Sequence, residues 1–305
     1  MKKLTVIICT YNRSDLLQEC LESIVNQSMD DRNFDVVVVD NNSSDRTKEV
    51  VDSMAGKYHN VHYLKEENQG LSHARNAGWR LAKTEWVNYL DDDAISHNDY
   101  VEKILETIQQ YDYPIFGGVY HQWFKFGRPD WFPETEGTNK YLLSKTGVLS
   151  ENKFASGGNI TFKREILESL NGFNTSLGMS GDKVSYGEEI ELQIRARAVG
   201  IQVGFNPDIE IDHLIRKDKL KLDWWLDSYY AKGVDAAETF RKKNRTWLNL
   251  AKGIGFATAM APVFFIKLLF ASSFKKGTFV LKLYGPLYYL AGKSGFRKPK
   301  WYTSE

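Results

Sequence analysis

Leu4-Thr5-Val6-Ile7-Ile8-Cys9 is a run of six residues without a charge, and Thr10-Tyr11-Asn12-Arg13 follows it at once. The run reads as a buried strand. Behind it Leu16, Leu17, Cys20, Leu21, Ile24 and Val25 recur at helical spacing, with Ser14 placed as the N-cap. The same unit returns downstream. Val36 to Val39 lead into Asp40, a Ser43-Ser44-Asp45 capping cluster opens a helix to about Met54, and Val61 to Leu64 form a short strand. A helix of small residues from Leu71 to Ala82, a strand from Trp86 to Leu90 and a helix carrying Val101, Ile104, Leu105 and Ile108 continue the pattern. Unbroken β-branched runs alternating with helices predict an α/β fold whose mostly parallel sheet is flanked by helices.

Ligands of such sheets bind beyond the carboxyl ends of the strands. Here those positions hold Thr10-Tyr11-Asn12-Arg13, Asp40-Asn41-Asn42 and Asp91-Asp92-Asp93, so three polar clusters share one edge. From about residue 111 the alternation gives way to aromatic, Gly- and Pro-containing sequence. A loop is expected at Gly127 to Gly137, and a further helix from about Glu188 to Val199 that ends at Gly200.

The chain has 305 residues, 42% of them hydrophobic, which excludes a disordered protein and suffices for one large domain with an appendage. A formal net charge of +1 conceals a division near residue 240. Beyond it stand 13 Lys/Arg and one acid, Glu305; before it, 27 basic and 38 acidic residues. The two parts face different partners. Cys9 and Cys20 read as small buried apolar residues, with no disulfide framework. The apolar run after Lys2 and Lys3 is too short for a signal-peptide core, so a cytoplasmic N-terminal domain is expected.

Three consecutive aspartates after a strand crowd carboxylates into one small volume, where repulsion is severe unless a cation neutralises it. A hard divalent ion with oxygen ligands answers that need, and a solvated acidic turn is the plainer alternative. The wider pattern favours the ion. Thr10-Tyr11-Asn12-Arg13, Asp40 to Asp45, Asn68 to Gly78, Asp91-Asp92-Asp93, Gly157-Gly158-Asn159, Gly187 to Leu192 with Arg195, and His213 stand in an order that resembles the family 2 glycosyltransferases of the GT-A fold.

The resemblance covers about residues 4 to 215. It implies inverting transfer of a sugar from a nucleotide diphosphate donor to an acceptor hydroxyl, with Mn²⁺ or Mg²⁺ on the diphosphate. Residues 1–220 would form the GT-A domain, with 1–110 binding nucleotide and 111–220 binding acceptor, and 221–305 a helical extension. Thr10, Tyr11 and Asp40 would hold the nucleobase, Asp40 accepting from a pyrimidine N–H, so a UDP-sugar is favoured. Arg13, Asn42 and Asp92 join the nucleotide-binding set. Arg75 would lie near the nucleotide or its diphosphate, Asp91 near the ribose, and Asp93 and His213 on the metal. Arg75 as a surface helix residue, Asp40 as a helix cap and His213 as a structural residue remain open.

Transfer also needs a base for the acceptor hydroxyl. Glu189 stands where the family usually carries an aspartate, so Glu188-Glu189 departs from the common Glu-Asp and leaves Glu188 as a rival. Glu191 has helical spacing to pair with Arg195. Gly158, Asn159, Glu191 and Trp131 are candidates for the sugar or acceptor side. Trp123, Trp131 and Phe132 could equally stack on sugars or pack a core.

The last 65 residues combine 13 cations with 13 aromatics, and apolar stretches at Ile254 to Phe274 and Thr278 to Ala291 are interrupted by Pro262, Lys267 and Lys282. Amphipathic helices lying on an anionic membrane surface are the favoured reading, with an inserted segment or a homo-oligomeric bundle as alternatives. A peripheral or monotopic protein on the cytoplasmic face, acting on a glycan or lipid-linked acceptor for cell-surface glycoconjugates, is the resulting expectation. No nucleic-acid motif is present. A nucleotidyltransferase would need a Gly-rich phosphate loop after the first strand, which Thr10-Tyr11-Asn12-Arg13 is not. A non-catalytic glycan-binding relative is opposed by the retention of Asp91, Asp93 and Glu189.

Overall fold

A computed structural model describes residues 2–180, 187–239, 251, 254–255, 258–263, 266 and 276–294. The first half alternates as its pattern requires: β1 (Leu4–Thr10), α1 (Ser14–Val25), β2 (Phe34–Asp40), α2 (Thr47–Ala55), β3 (Val61–Lys65), α3 (Leu71–Leu81) and β4 (Trp86–Asp91). β3, β2, β1 and β4 lie side by side and parallel. Leu4, Val6, Ile8, Val36 and Val38 pack with Leu17, Leu21 and Ile24 of α1 in one core. Ile7, Val37, Val39 and Val87 pack with Ala74 and Trp79 of α3 in another. Both faces are covered, which is why these strands read as unbroken apolar runs. α3 lies close against the sheet at Gly78, where a Cβ would stand only 2.6 Å from Ile7.

The second half comprises β5 (Ala94–Ser96), α4 (Tyr100–Gln110), β6 (Ile115–Trp123), β7 (Gly147–Val148), β8 (Asn159–Lys163), α5 (Arg164–Ser169), α6 (Glu188–Ala198) and β9 (Val203–Leu214). The sheet runs β3-β2-β1-β4-β8-β6-β9-β5, with β7 beside β9. Beyond β4 the pairing is mixed: β8 is antiparallel to β4, β6 to β8, and β5 to β9, while β6 and β9 are parallel. Antiparallel neighbours need no crossover helix. The irregular sequence beyond residue 111 therefore gives the mixed half of an α/β sheet.

The expected cap of α1 is corrected. Ser14 does not cap the helix with its own side chain; its N–H donates to Asp45 Oδ2 across the loop at 2.8 Å. Asp45 Oδ1 accepts from the Thr47 N–H at 3.1 Å and from its hydroxyl. One carboxylate thus serves the first turns of both α1 and α2. Burial pushes the Asp45 carboxyl up, but these hydrogen bonds outweigh it and leave the group below its usual range.

Two compact units divide the chain: Met1–Trp123, Gly137–Asp182 and Glu188–Leu214 in one; Phe124–Glu136, Lys183–Gly187 and Ile215–Glu305 in the other. The sheet belongs to the first. In the second, α7 (Leu222–Thr239) packs on α8 (Lys276–Lys293) around Phe132, Ile215, Trp225, Leu226, Val280, Leu281 and Tyr288. The two backbones meet closely, since a Cβ on Gly233 would stand 2.0 Å from the Tyr289 carbonyl oxygen. The apolar stretch Thr278 to Ala291 falls within α8, whereas much of Ile254 to Phe274 lies outside the described residues. Among the described residues no helix is long and apolar enough to cross a membrane.

Candidate active site

Asp91 closes β4, the chain turns through Asp92 and Asp93, and it returns as β5. Antiparallel pairing of β5 with β9 sets Ala94 opposite His213, and the Leu214 N–H donates to the Asp93 carbonyl at 2.9 Å. Sheet register alone brings the histidine to the aspartates. One donor atom each from Asp91, Asp93 and His213 lie within 4.8 Å of one another. His213 Nε2 stands 3.2 Å from Asp93 Oδ1 and 3.5 Å from Asp91 Oδ2. Burial pushes the Asp91 carboxyl up, but the hydrogen bond and charge of His213 outweigh it and hold the group below its usual range.

Asp92 is buried and accepts from Arg13 Nη1 at 2.8 Å, yet burial still raises its carboxyl above the usual range. The same guanidinium lies 3.8 Å from Asp93 Oδ2. Arg13 bonds closely only to Asp92, and Arg75, 3.9 Å from Asp91, is itself paired with Glu188, so negative charge remains on Asp91 and Asp93. Two carboxylates and an imidazole on that charge fit a divalent cation such as Mn²⁺ or Mg²⁺.

The register of β1 on β2 pairs Thr10 with Asp40 at the same sheet edge. Asp40 is buried, its Oδ1 accepting from the Ser43 N–H and its Oδ2 from the Tyr63 hydroxyl, each at 2.8 Å. Burial and then the neighbouring Asp40 raise the Tyr63 phenol well above its usual range, so it remains a donor. Around this pair the loops after β1 and β2 interlock. Asn12 donates its N–H to Ser43 Oγ at 3.0 Å and accepts from the Ser44 N–H at 2.7 Å, while the Asn41 N–H donates to the Thr10 carbonyl at 2.9 Å. Asn12 and Asn42 hold left-handed backbone, φ 51° and 67°, which asparagine tolerates better than most residues. Tyr11 is half-buried on the first of these loops.

Arg75 of α3 is 4% exposed. Its Nη1 makes a tight ion pair with Glu188 at the start of α6, and its Nη2 donates to the Gly157 carbonyl at 3.1 Å and lies 3.9 Å from Asp91 Oδ1. The rings of Phe173 and Tyr89 flank it at 5.4 and 5.7 Å. Burial disfavours the guanidinium charge, but Glu188 and Asp91 outweigh that and raise its pKa. A Cβ on Gly157 would meet Arg75 at 2.7 Å, and one on Gly158 would meet Asp91 Oδ2 at 2.1 Å. The paired glycines are the surface on which these two side chains rest. Glu189, one residue beyond Glu188, is half-buried; burial and then the charge of Glu188 raise its carboxyl to about 8.

Other sequence candidates lie elsewhere. Asn159 is buried and donates to the Val119 and Ile209 carbonyls at 2.9 and 3.1 Å while accepting from the Tyr100 hydroxyl, so it ties strands together in the interior. Glu191 accepts from Arg195 at 2.8 Å, as its spacing predicts, and Arg195 also donates to the Gly172 carbonyl at 2.7 Å, so the pair clamps the turn after α5. Trp131 belongs to the second unit, beside Phe132 at 5.5 Å. Tyr63 and Tyr100 escape the sequence reading. Tyr63 and Tyr100 look like ordinary core aromatics, and only their hydroxyl partners show otherwise. Burial pushes the Cys9 thiol up to about 12, in keeping with a small apolar core residue.

Among curated relatives, a glucosyl-dolichyl phosphate glucuronosyltransferase of Haloferax volcanii is 28% identical over 232 residues, 73% of this chain and 72% of that protein. The chain matches glycosyltransferase GlyA of Streptococcus pneumoniae over 17% of that protein and glycosyltransferase AglE of Haloferax volcanii over 58%. The mannosyltransferase PcManGT from Pyrobaculum calidifontis, solved in complex with GDP-Man and Mn²⁺, shares the fold with a TM-score of 0.68 at 20% identity, over 97% of this chain and 88% of that one. Staphylococcus aureus TarS 1–349 in complex with UDP-GlcNAc does so with a TM-score of 0.59 at 17% identity, over 96% and 89%. With residues 5–170 matching the profile of glycosyl transferase family 2 on a sheet of this kind, the chain belongs to that family.

Proposed function

We propose that the protein transfers a sugar, with inversion, from a nucleoside diphosphate sugar to an acceptor hydroxyl, and that the donor is a UDP-sugar. The observation that carries this is the convergence of Asp91, Asp93 and His213 at the sheet edge that also presents Asp40. PcManGT and TarS, which share the fold, were solved with nucleotide sugars. Asp40, with Thr10 and Tyr11, would receive the nucleobase, its buried carboxylate accepting a base N–H. Asp91, Asp93 and His213 would hold Mn²⁺ or Mg²⁺, which when bound supplies positive charge for a departing diphosphate. Asp91 would also face the ribose. Glu189 would accept the acceptor hydroxyl proton as that oxygen attacks, and a carboxyl near 8 is basic enough for the task.

For the acceptor we favour a lipid-linked sugar or growing glycan at the cytoplasmic face of a membrane. The name of the Haloferax volcanii relative includes a dolichyl phosphate. In the second unit Lys217 rests over Phe126 at 4.6 Å, Lys219 over Trp224 at 5.4 Å and Lys293 over Tyr289 at 5.9 Å. Cations on partly exposed rings suit an anionic interface, and the basic sequence beyond residue 240 adds to that charge. Calorimetry with UDP and GDP, with and without Mn²⁺, followed by a hydrolysis survey of UDP-, dTDP- and GDP-sugars, tests the reading. Metal-dependent binding with turnover supports it. Binding without turnover points to a scaffold, and no binding removes it.

A further inference from the structure

The resemblance places Arg75 near the nucleotide, but its surroundings describe a different task. The guanidinium is 4% exposed, donates to Glu188 and to the Gly157 carbonyl, and is enclosed by the Phe173 and Tyr89 rings. At that exposure, and with the described residues around it, the guanidinium offers a phosphate oxygen almost no accessible surface. The atoms it joins come from separate elements: α3 carries Arg75, α6 begins at Glu188, the segment before β8 supplies Gly157, and β4 ends at Asp91. Glu188 is buried with it, so this carboxylate is engaged in an ion pair instead of being free to take a proton. A buried pair of this kind is strongly damaged when one partner is removed.

Resting on the proposed function, we propose that Arg75 and Glu188 are positioning residues: their ion pair pins the first turn of α6 to α3, beside the end of β4, and so fixes where the neighbouring Glu189 carboxylate points. Glu188 is then a counter-ion and not the base. Arg75 does not bind the diphosphate. Charge follows the same geometry, because the groups that act on Glu189 are Glu188 on its own helix, Arg75 on α3 and Asp91 on β4. Removing the negative neighbour favours the ionised base, and removing the positive one disfavours it.

The test compares full-length Arg75→Lys, Arg75→Gln, Glu188→Gln and Gly157→Ala with wild type. Gly157→Ala leaves both charges in place and only crowds the guanidinium, so it remains informative should Arg75→Gln fail to fold. Expected are Kd values for UDP with Mn²⁺ within about twofold of wild type, and turnover of the nucleotide sugar reduced at least about tenfold in each variant. NMR titration of the ¹³C-labelled Glu189 carboxyl gives a readout independent of substrate: Glu188→Gln moves its midpoint to lower pH and Arg75→Gln to higher pH. A tenfold rise in Kd with unchanged turnover in Arg75→Lys would make Arg75 a diphosphate ligand and overturn the proposal, as would midpoints that move together or not at all. A wild-type chain inert toward every nucleotide sugar overturns the proposed function, while the titration still decides the role of the pair.

Discussion

The Tyr63 hydroxyl lies 2.8 Å from Asp40 Oδ2 and donates to it, so the carboxylate expected to read the nucleobase is itself held by a neighbouring strand. A hydrogen bond to a charged group contributes about 1.5–3 kcal/mol. Tyr63→Phe should therefore weaken UDP binding by roughly tenfold, while kcat at saturating donor stays near wild type. Calorimetry checks the first and steady-state kinetics the second. An unchanged Kd would mean that Asp40 does not read the base.

Asp93→Ala should abolish the metal dependence of nucleotide diphosphate binding. Asp93 supplies one of only two carboxylates in the triad that Arg13 does not already bond closely, so its loss removes half the charge available to a cation. Titration with UDP in the presence and absence of Mn²⁺ measures it; full retention of the Mn²⁺ effect would move the metal elsewhere.

Glu189→Gln should keep donor affinity and lose turnover by roughly 10²-fold or more, the scale of a positioned general base. The wild-type rate should rise with pH and level off above about 8, where the raised carboxyl is ionised. Stability moves the other way. Between its ordinary value of 4.5 and about 8 this group keeps a proton in the folded chain that the unfolded chain has released. Its contribution is fully present below 4.5 and is lost as pH rises through about 8. Chemical denaturation across that range should show a flatter pH profile for Glu189→Gln than for wild type.

Gly158→Ala should destabilise the fold by about 1–3 kcal/mol, since the added methyl meets Asp91 and cannot pass it without moving the carboxylate. Metal-dependent nucleotide binding should fall with it. A thermal melt together with a Mn²⁺ titration separates the two effects, and a variant that behaves as wild type in both would show that Asp91 has room to move.

For the membrane reading, the full-length protein should sediment with anionic vesicles, loosen in high salt and remain on neutral vesicles only weakly. Each Lys or Arg near an anionic surface contributes about 1 kcal/mol. Replacing Arg297, Lys298 and Lys300 together by Glu should weaken attachment by at least tenfold. Truncation after residue 240 is a poorer test, because it strips α8 from α7 and uncovers Trp225 and Leu226. Indifference to anionic vesicles would leave this basic sequence as a packing or oligomerisation element.

The parallel half of the sheet is legible in the sequence because burial on both faces writes itself as unbroken apolar runs such as Val36 to Val39. The mixed half is not, since β8 and β6 owe their direction to neighbours far away in the chain. Within the site, Asp91 and Asp93 announce themselves by repulsion between adjacent acids, and His213 only by an ordered pattern of motifs. What Arg75 touches could not be foreseen. A buried guanidinium and one over a diphosphate look identical in sequence, and the difference lies in Phe173 and Glu188, about a hundred residues on. Asn159 follows the same logic, a polar residue beside two functional glycines whose amide is bonded inward.

Asp45 makes the opening of two helices a single event. Because it bonds the Ser14 N–H and the Thr47 N–H at once, neither first turn can fray without loosening the other, and the two interlocked loops that lead into these helices carry Asn12 and Ser43. Amide hydrogen exchange at the starts of α1 and α2 should share one opening free energy instead of two independent ones. The consequence reaches the nucleobase end of the sheet: a ligand seated there would slow exchange at both helix starts in step, and Asp45→Ala would uncouple them without touching any residue expected to contact that ligand.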